Sequence, residues 1–293
     1  MPNTTTTRLL QAHRSAGRTL RADGILSFLL DDGPRDAEPV VCVHGVPASA
    51  YLYRKVVPEL AARGLRGIAI DLPGLGFAQR PADADYTWTG LGRWLLSAIN
   101  ALQLDRFHLL VHDIGGPVGF EVAAAAPDRV LSMTLLNTIV DVESFHRPWP
   151  MEPFAHRGVG EAWLASMRIP GTFLTIMRMV GVSRRVPAAE LACWPPLLFG
   201  DDGGRAFLKI MRGFELTAAT QRRYRDAVRG PYPVQIVWGA RDAMLPWRRY
   251  GVEAQRAAGI TEPILLPAKH FLQEDHPQEI AEAVRRLATR DAG

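Results

Sequence analysis

Short β-branched segments alternate with longer helical segments along much of this 293-residue chain. Three such pairs follow one another: PVVCVHG with YLYRKVVPELAARG, RGIAIDLPG with TWTGLGRWLLSAINAL, and FHLLVHD with GGPVGFEVAAAAP. Strands that are joined through helices pair in parallel, and the helices then cover both faces of the sheet. The alternation therefore predicts an α/β fold with a mostly parallel sheet and helices on both faces.

The alternation breaks after VLSMTLLNT and returns with YPVQIVWGA, WRRYGVEAQRAAG, PILLPA and PQEIAEAVRRLA. Residues 141–219 show no strand pattern, but EAWLASM, GTFLTIMRMV and GRAFLKIMRGF have apolar residues at helical spacing. We therefore predict a core formed by residues 1–140 and 220–293, and an inserted helical cap formed by residues 141–219.

Composition and charge exclude several classes of protein. The apolar runs are strand-length, so we expect no membrane span, and the N-terminus lacks a secretory signal pattern, which favours a cytoplasmic location. The net charge is +4, but acidic and basic residues are interspersed, so no nucleic-acid partner is expected. Cys42 and Cys193 are too few for a disulfide framework or a metal site. We expect no metal and no cofactor, and the oligomeric state stays open.

A candidate nucleophile follows the third strand, in FHLLVHDIGGPVGF. The strand should end near Val111, and Gly115 and Gly116 allow a helix to begin almost without a loop, which places Asp113 at the apex of a sharp turn. A carboxylate is already ionised at neutral pH and forms a stable ester when it displaces a leaving group from saturated carbon. The sequence thus predicts that Asp113 attacks alkyl electrophiles, although an aspartate here can also cap the helix that begins near Ile114.

Two further polar residues follow later strands. Asp242 lies in VQIVWGARDAMLPW, and His270 lies in ILLPAKHFLQEDHP. The order nucleophile, acid, histidine is the one found in the α/β-hydrolase fold. We predict that His270 activates a water molecule against an ester on Asp113 while Asp242 orients the imidazole. Asp141 or Glu143, just past VLSMTLLNT, is an alternative for the acid.

An oxyanion hole is predicted from two backbone amides. In VHGVPASAYLYR the chain can turn between Gly45 and Pro47 so that the amide of Val46 points into the site, and the amide of Ile114 would be the second donor. His44 in the same loop is interpreted as structural.

Together, HGVPASAYLYRKVVPEL, DLPGLGFAQRPADADYTW, LLVHDIGGPVGF, WGARD and KHFLQEDHP resemble the haloalkane dehalogenase and epoxide hydrolase branch of the α/β-hydrolase superfamily. The resemblance implies a hydrolase that works through a covalent ester, with a small apolar alkyl halide and water as substrates. An epoxide hydrolase with the same triad is the first alternative. A non-catalytic protein that binds a small ligand beneath the cap is the second.

The resemblance leaves the halide-binding group open. Haloalkane dehalogenases generally hold the halide with a tryptophan directly after the nucleophile, often with an asparagine elsewhere, whereas this chain has Ile114 and Val46 at those two places. We therefore consider the cap tryptophans Trp149, Trp163 and Trp194 as substitutes.

An epoxide hydrolase would instead need a cap tyrosine as proton donor. Tyr224 is the one candidate, with His146 and His156 as possible replacements. Fluoroacetate dehalogenases are related, but the arginine that follows their nucleophile is replaced here by Ile114.

Overall fold

The described part of the chain, residues 4–289 of a computed structural model, contains one sheet of eight strands. In chain order they are β1 (Arg18–Ala22), β2 (Ile25–Asp32), β3 (Pro39–Val43), β4 (Arg66–Ile70), β5 (Phe107–Asp113), β6 (Val130–Thr138), β7 (Val234–Gly239) and β8 (Ile264–Leu266). Their order across the sheet is β1-β2-β4-β3-β5-β6-β7-β8. The β1–β2 and β2–β4 pairs are antiparallel and all other pairs are parallel. The predicted mostly parallel sheet is confirmed.

The α-helices of the described residues are, in chain order, α1 (Thr4–Ser15), α2 (Val56–Ala61), α3 (Trp88–Ala101), α4 (Gly115–Ala125), α5 (Val159–Ser166), α6 (Thr172–Ile176), α7 (Ala188–Leu191), α8 (Trp194–Phe199), α9 (Arg205–Arg212), α10 (Ala218–Ala227), α11 (Val252–Ala258), α12 (Leu272–Asp275) and α13 (Pro277–Thr289). Short 3₁₀ turns occur at Ala50–Tyr53, Pro127–Arg129 and Glu152–Ala155, and π-helical turns at Met177–Gly181 and Trp247–Gly251. The N-terminal helix α1 and the β1–β2 hairpin are additions to the predicted pattern.

The central strands are buried along their whole length. Every residue of β4 is buried, as are Val40 to Val43 of β3. Helices α3, α4 and α10 pack together over the sheet, and α2 packs against α13. Strands covered by helices must be hydrophobic on both sides, which explains why these segments are continuous apolar runs rather than alternating ones.

Helices α5 to α9 occupy the connection between β6 and β7, where the sequence predicts a cap. Helix α10 begins at Ala218 and packs against α4, so the chain returns to the core helices two residues before the predicted boundary. Residues 1–3 and 290–293 of the predicted core lie outside the described part. None of the helices between residues 4 and 289 has the length and apolar character needed to cross a membrane.

The strand order places a crevice at the carboxyl ends of β3 and β5. From β3 the chain continues to β4 on one side, while β5 pairs with β3 on the other side. In open parallel sheets, the loops at such a switch point diverge and leave room for a ligand. The loop after β3 and the end of β5 are the two segments that carry Val46 and Asp113.

Candidate active site

Asp113 is the last residue of β5, and its backbone adopts φ 55°, a region that few non-glycine residues enter. The turn is tight because the next helix starts at Gly115, where a Cβ would lie 2.3 Å from the carbonyl oxygen of Val43. A Cβ on Gly116 would lie 1.8 Å from Oγ1 of Thr138, the hydroxyl that donates to the Asp113 carbonyl at 2.6 Å. Both glycines are therefore required by the packing of this elbow.

The loop after β3 meets the Asp113 carboxylate directly. The backbone N–H of Val46 donates to Oδ1 of Asp113 at 2.8 Å. A Cβ on Gly45 would lie 2.2 Å from the same oxygen, so only glycine permits this approach. The amide of Val46 thus lies where the sequence predicts an oxyanion donor. A backbone hydrogen bond from Ile114 also acts on the Asp113 carboxylate.

His270 lies between two carboxylates. Its Nδ1 donates to Oδ2 of Asp242 at 2.8 Å, and its Nε2 lies 3.4 Å from Oδ2 of Asp113. The other oxygen of Asp242 accepts from the backbone N–H groups of Met244 and Leu245, at 2.7 and 3.0 Å. The imidazole is therefore oriented by a fixed, buried carboxylate, and its free nitrogen points towards the nucleophile.

Sequence reasoning missed one residue of this arrangement, Asn137, near the end of β6. Its Nδ2 donates to Oδ2 of Asp242 at 2.6 Å, and its Oδ1 accepts the N–H of Gly239 at 2.8 Å. The side chain is fully buried and ties β6 to the loop that carries the acid. A buried asparagine at a strand end, beside other strand-end polar residues, was the available signal.

The charges of the site shift the pKa values in opposite directions. Burial alone would lower the pKa of His270, but the charge of Asp242 and the interaction with Asp113 outweigh it and raise that pKa to about 10. Burial alone would raise the pKa values of both carboxyls, but His270 lowers each of them below its usual range. In the resting site the imidazolium is thus the favoured form, between two carboxylates.

Two further histidines support the backbone around the site. The Nε2–H of His112 donates to the carbonyl of His270 at 2.9 Å, and burial followed by the charge of His270 lowers the pKa of His112 to about 3. His44 donates from Nδ1 to the Gly45 carbonyl at 2.9 Å and accepts the N–H of Leu72 on Nε2 at 3.0 Å. Both rings are neutral scaffolding, and for His44 this agrees with the sequence interpretation.

The alternative acids lie elsewhere. Asp141 forms a two-pronged ion pair with Arg225, with Nε and Nη2 each 2.7 Å from a carboxylate oxygen. Glu143 is exposed, and its backbone N–H donates to Oε1 of Gln221 at 3.0 Å. Asp242, which contacts His270, is the carboxylate that the structure brings to the site.

A small cavity of about 20 Å³ opens in front of Asp113, with room for about one water molecule. We call it the catalytic cavity. Its walls are formed by Val46, Asp113, Ile114, Ile139, Phe145, Arg147, Pro148, Met151, Met211, Phe214, Met244 and Leu245. Arg147 is the second residue that sequence reasoning missed. It follows β6 in the segment FHRPWP, and the rule that ligands bind at carboxyl strand ends applies to this loop as well.

A second cavity, of about 50 Å³, lies under the cap and is lined by hydrophobic residues alone. We call it the apolar cavity. It is formed by Pro47, Pro150, Met151, Phe154, Met167, Phe173, Ile176, Met177, Val180, Leu198, Phe207, Met244 and Phe271. Met151 and Met244 belong to both cavities, so they form the partition between them.

Neither cavity is lined by the predicted substrate-binding residues Trp149, Trp163 and Tyr224. Trp149 is 59% exposed. The indole of Trp163 donates to the carbonyl of Pro150 at 2.9 Å. Tyr224 is fully buried on α10, with its ring 5.4 Å from that of Phe120 on α4, because α10 packs on the core helices rather than over the site.

The other proposed donors are also absent from the cavity walls. His156 is exposed and lies 3.2 Å from a carboxylate oxygen of Glu152, and the exposed His146 contacts the Ser144 carbonyl at 2.9 Å. Trp194 is buried behind Phe271, with ring centroids 4.8 Å apart. Between residues 4 and 289, no group of three or more His, Cys, Asp or Glu side chains is arranged to hold a metal ion.

The chain is similar in sequence to known hydrolases. Residues 38–167 match the family described as the alpha/beta hydrolase fold. Over 271 residues the chain is 31% identical to a haloalkane dehalogenase of Mycobacterium marinum, covering 87% of this chain and 86% of that protein. A haloalkane dehalogenase of Psychrobacter cryohalolentis is 44% identical over 112 residues, which are 38% of this chain and 37% of that protein. This last match spans little more than a third of the relative.

Solved structures show the same architecture. A haloalkane dehalogenase from Bradyrhizobium elkani superposes with a TM-score of 0.77 at 22% identity, covering 93% of this chain and 97% of that chain. An epoxide hydrolase superposes with a TM-score of 0.74 at 21% identity, covering 92% and 97%. These identities are low, so the likeness establishes the fold, and the predicted α/β-hydrolase fold is confirmed.

Proposed function

The chain belongs to the haloalkane dehalogenase branch of the α/β-hydrolase superfamily and is a hydrolase, and on that premise we propose that it cleaves carbon–halogen bonds through an ester on Asp113. The observation that carries the proposal is one contact set. The Asp113 carboxylate accepts the Val46 amide at 2.8 Å and faces Nε2 of His270 at 3.4 Å. The hypothesis of a non-catalytic binding protein is not retained.

The first step is a displacement at saturated carbon. An oxygen of Asp113 forms a bond to the carbon, the carbon–halogen bond breaks, and the halide leaves with the electron pair. The pKa of Asp113 lies below its usual range, because His270 outweighs the effect of burial. The nucleophile is therefore ionised throughout the neutral pH range, and this step needs no base.

The second step is hydrolysis of the ester. His270 takes a proton from a water molecule whose oxygen attacks the carbonyl carbon of the ester on Asp113, and Asp242 stabilises the resulting imidazolium. The amides of Val46 and Ile114 hold the oxyanion of the tetrahedral intermediate. Collapse of that intermediate breaks the bond to the alcohol oxygen, which leaves with a proton from His270. The Asp113 carboxyl then passes the remaining proton of the water molecule to His270, which restores the carboxylate and the imidazolium of the resting site.

The change of charge on Asp113 couples the two steps. In the resting site both Asp113 and Asp242 raise the pKa of His270. Alkylation turns Asp113 into a neutral ester and removes one of these two negative charges, so the pKa of His270 falls. The imidazolium of His270 therefore loses its proton to solvent more readily in the ester intermediate. Hydrolysis of that intermediate requires the neutral imidazole as base.

Alkyl halides fit the site better than epoxides. An epoxide oxygen leaves as an alkoxide and needs a proton donor, and Tyr224, His146 and His156 do not line the catalytic cavity. A halide needs no proton to leave. The hydrophobic residues of the apolar cavity favour a small, uncharged alkyl chain, and the relatives from Mycobacterium marinum and Psychrobacter cryohalolentis are named haloalkane dehalogenases.

A paired turnover assay tests the proposal. Bromide release from bromobutane and diol formation from styrene oxide are measured for the wild type, Asp113→Asn and the matched control Asp141→Asn, whose carboxylate pairs with Arg225 outside the cavity. We expect bromide release that Asp113→Asn reduces by about 10⁴-fold or more, while Asp141→Asn stays within about twofold. Bromide release that survives in Asp113→Asn would contradict the ester, and diol formation without bromide release would contradict the substrate class.

A further inference from the structure

Among the described residues, Arg147 is the only cationic side chain on the walls of the catalytic cavity, which it shares with Asp113. It lies in the loop after β6, whereas Asp113 ends β5 and Val46 follows β3. The side chains around Arg147 on the cap side of this cavity are hydrocarbons and thioethers, including Phe145 and Met151. Such groups offer no N–H donor, so Arg147 is the one side chain there that can bind an anion.

Two contacts hold the guanidinium of Arg147 in place, but they do not engage all of its N–H groups. Its Nη2 donates to the carbonyl of Met211 at 3.0 Å, and its central carbon lies 4.6 Å from the ring centre of Phe214. Its Nε is buried and has no hydrogen-bond partner among the described residues. A buried guanidinium N–H without an acceptor is costly, so these two contacts do not fully satisfy the side chain.

The charge of Arg147 is not neutralised by a direct ion pair in the described part of the chain, since no carboxylate there lies within 4.0 Å of its guanidinium. Glu152 acts on it from a greater distance, and burial lowers the pKa of Arg147 from its usual value. An arginine nevertheless keeps its charge at any physiological pH. The cavity therefore contains a permanent positive charge that no fixed contact balances.

Resting on the proposed dehalogenation, we propose that the guanidinium of Arg147, which shares this cavity with Asp113, binds the departing halide. In a displacement the leaving group departs on the side opposite the attacking oxygen, so it moves away from Asp113 and towards the other walls of the cavity. A halide is a single atom, and the cavity of about 20 Å³ has room for about one atom of that size. The attraction to the positive charge grows as negative charge develops on the halide, so the contact stabilises the transition state more than the bound substrate.

The test uses two substitutions and one matched control. Arg147→Met removes the charge at similar length, and Arg147→Lys restores a charge without the planar fork. Arg249→Met is the control, because Arg249 also stacks on an aromatic ring, that of Tyr250 at 4.9 Å, and also donates to a backbone carbonyl, that of Ser144 at 2.7 Å. Arg249 does not line either cavity.

Halide binding is measured without substrate, from the chloride nuclear magnetic resonance line width and its displacement by bromide. Bromobutane turnover and product inhibition by bromide are measured in parallel. We expect Arg147→Met to weaken bromide binding and slow alkylation by about ten- to a hundredfold, the range for losing a hydrogen bond to a charged group. Arg147→Lys should recover part of both, and Arg249→Met should stay within about twofold of the wild type.

The outcomes separate this inference from the proposed function. Turnover of bromobutane with bromide binding unchanged in Arg147→Met would overturn the halide site and leave the dehalogenase intact. Bromide binding that depends on Arg147, without any bromobutane turnover, would support the anion site and contradict the proposed function. If Arg147→Met loses only the turnover of bromoacetate, Arg147 binds a substrate carboxylate, and the halide assignment is wrong. Should Arg147→Met fail to fold, Arg147→Lys is compared with the wild type in the same measurements.

Discussion

The two walls of the catalytic cavity are built on different principles. On the core side, Asp113 lines the cavity, and His270 and Asp242 stand behind it. These three residues follow or end three strands, and each is held by side-chain or backbone partners at hydrogen-bonding distance. On the cap side, the walls are Met, Phe and Pro side chains together with the guanidinium of Arg147. The core side is a network of fixed polar contacts, whereas the cap side is a soft apolar surface with one charge.

The contrast assigns the chemical steps to the core side and substrate selectivity to the cap side. A hydrogen-bonded network tolerates no displacement of its members, because each lost partner leaves a buried polar group unsatisfied. Methionine side chains, by contrast, are flexible and adapt to the shape of a ligand. We therefore expect substitutions on the core side to change the rate of single chemical steps, and substitutions on the cap side to change which substrate is accepted.

Among the substitutions that test this contrast, His270→Gln on the core side should have the largest effect. His270→Gln should reduce turnover by about 10²- to 10⁴-fold, the usual contribution of a general base, while alkylation of Asp113 continues. The ester should then accumulate and add the mass of the alkyl group to the protein. Intact-protein mass spectrometry after exposure to bromobutane checks this, with Asp113→Asn as the control that should gain no mass. An unmodified His270→Gln protein would break the division of the core side into two steps.

The next effect concerns pH. The pKa of Asp113 is lowered, so the alkylation rate, measured as a rapid burst of bromide, should not change between about pH 5 and 8. Hydrolysis needs neutral His270, so its rate should fall as pH decreases through the pKa that His270 has in the ester intermediate. That pKa lies below the resting value of about 10, because Asp113 is then uncharged. Rapid-quench kinetics over this range separates the two rates. Parallel pH profiles for both steps would show that His270 does not distinguish them.

A smaller effect is expected when the partition between the two cavities is removed. Met151 lines both cavities, so Met151→Ala should join them and raise the preference for bromooctane over bromobutane by about tenfold, the value of one or two methylenes in an apolar pocket. The ratio of kcat/KM values for the two substrates measures this preference. Met179→Ala, at an exposed cap methionine, is the control. An equal loss on both substrates would assign Met151 to the chemistry instead of the selectivity.

The smallest change in turnover is expected for a substitution on α10, the helix that follows the cap. Tyr224→Phe should leave turnover of bromobutane and styrene oxide within about twofold of wild type, because the ring packs against Phe120 and lies outside both cavities. Steady-state kinetics on both substrates checks it. A selective loss of epoxide opening would restore Tyr224 as the proton donor.

Much of the core side could be predicted from the sequence because it depends on local patterns. Asp113 ends a strand and precedes Gly115 and Gly116, whose lack of side chains lets the next helix begin close to the neighbouring strands. Asp242 and His270 follow later strands, and the carboxyl ends of parallel strands meet at one edge of the sheet. The catalytic roles of these residues stay predictions, but their meeting at one place follows from their positions along the chain.

The cap side could not be predicted in the same way. Side-chain chemistry alone points to Trp149, Trp163 and Tyr224 as substrate contacts. Whether such a side chain faces a cavity, however, depends on how its helix or turn packs on neighbouring elements. Tyr224 belongs to a helix that packs on α4, and no local pattern indicated this. No sequence motif around Arg147 indicates a ligand-binding role. The position of its guanidinium is set by contacts with Met211 and Phe214, which are far away in the sequence.

By itself, the sequence determined the alternation of strands and helices, the parallel sheet, and the residues at its carboxyl edge, because strand period and turn geometry act over a few neighbouring residues. Tertiary packing sets which side chains share a cavity, that Asn137 holds Asp242, that the pKa of His270 is raised, and that Arg147 lines the same cavity as the nucleophile. These properties depend on burial and on distances between residues far apart in the chain, and packing alone brings such residues together.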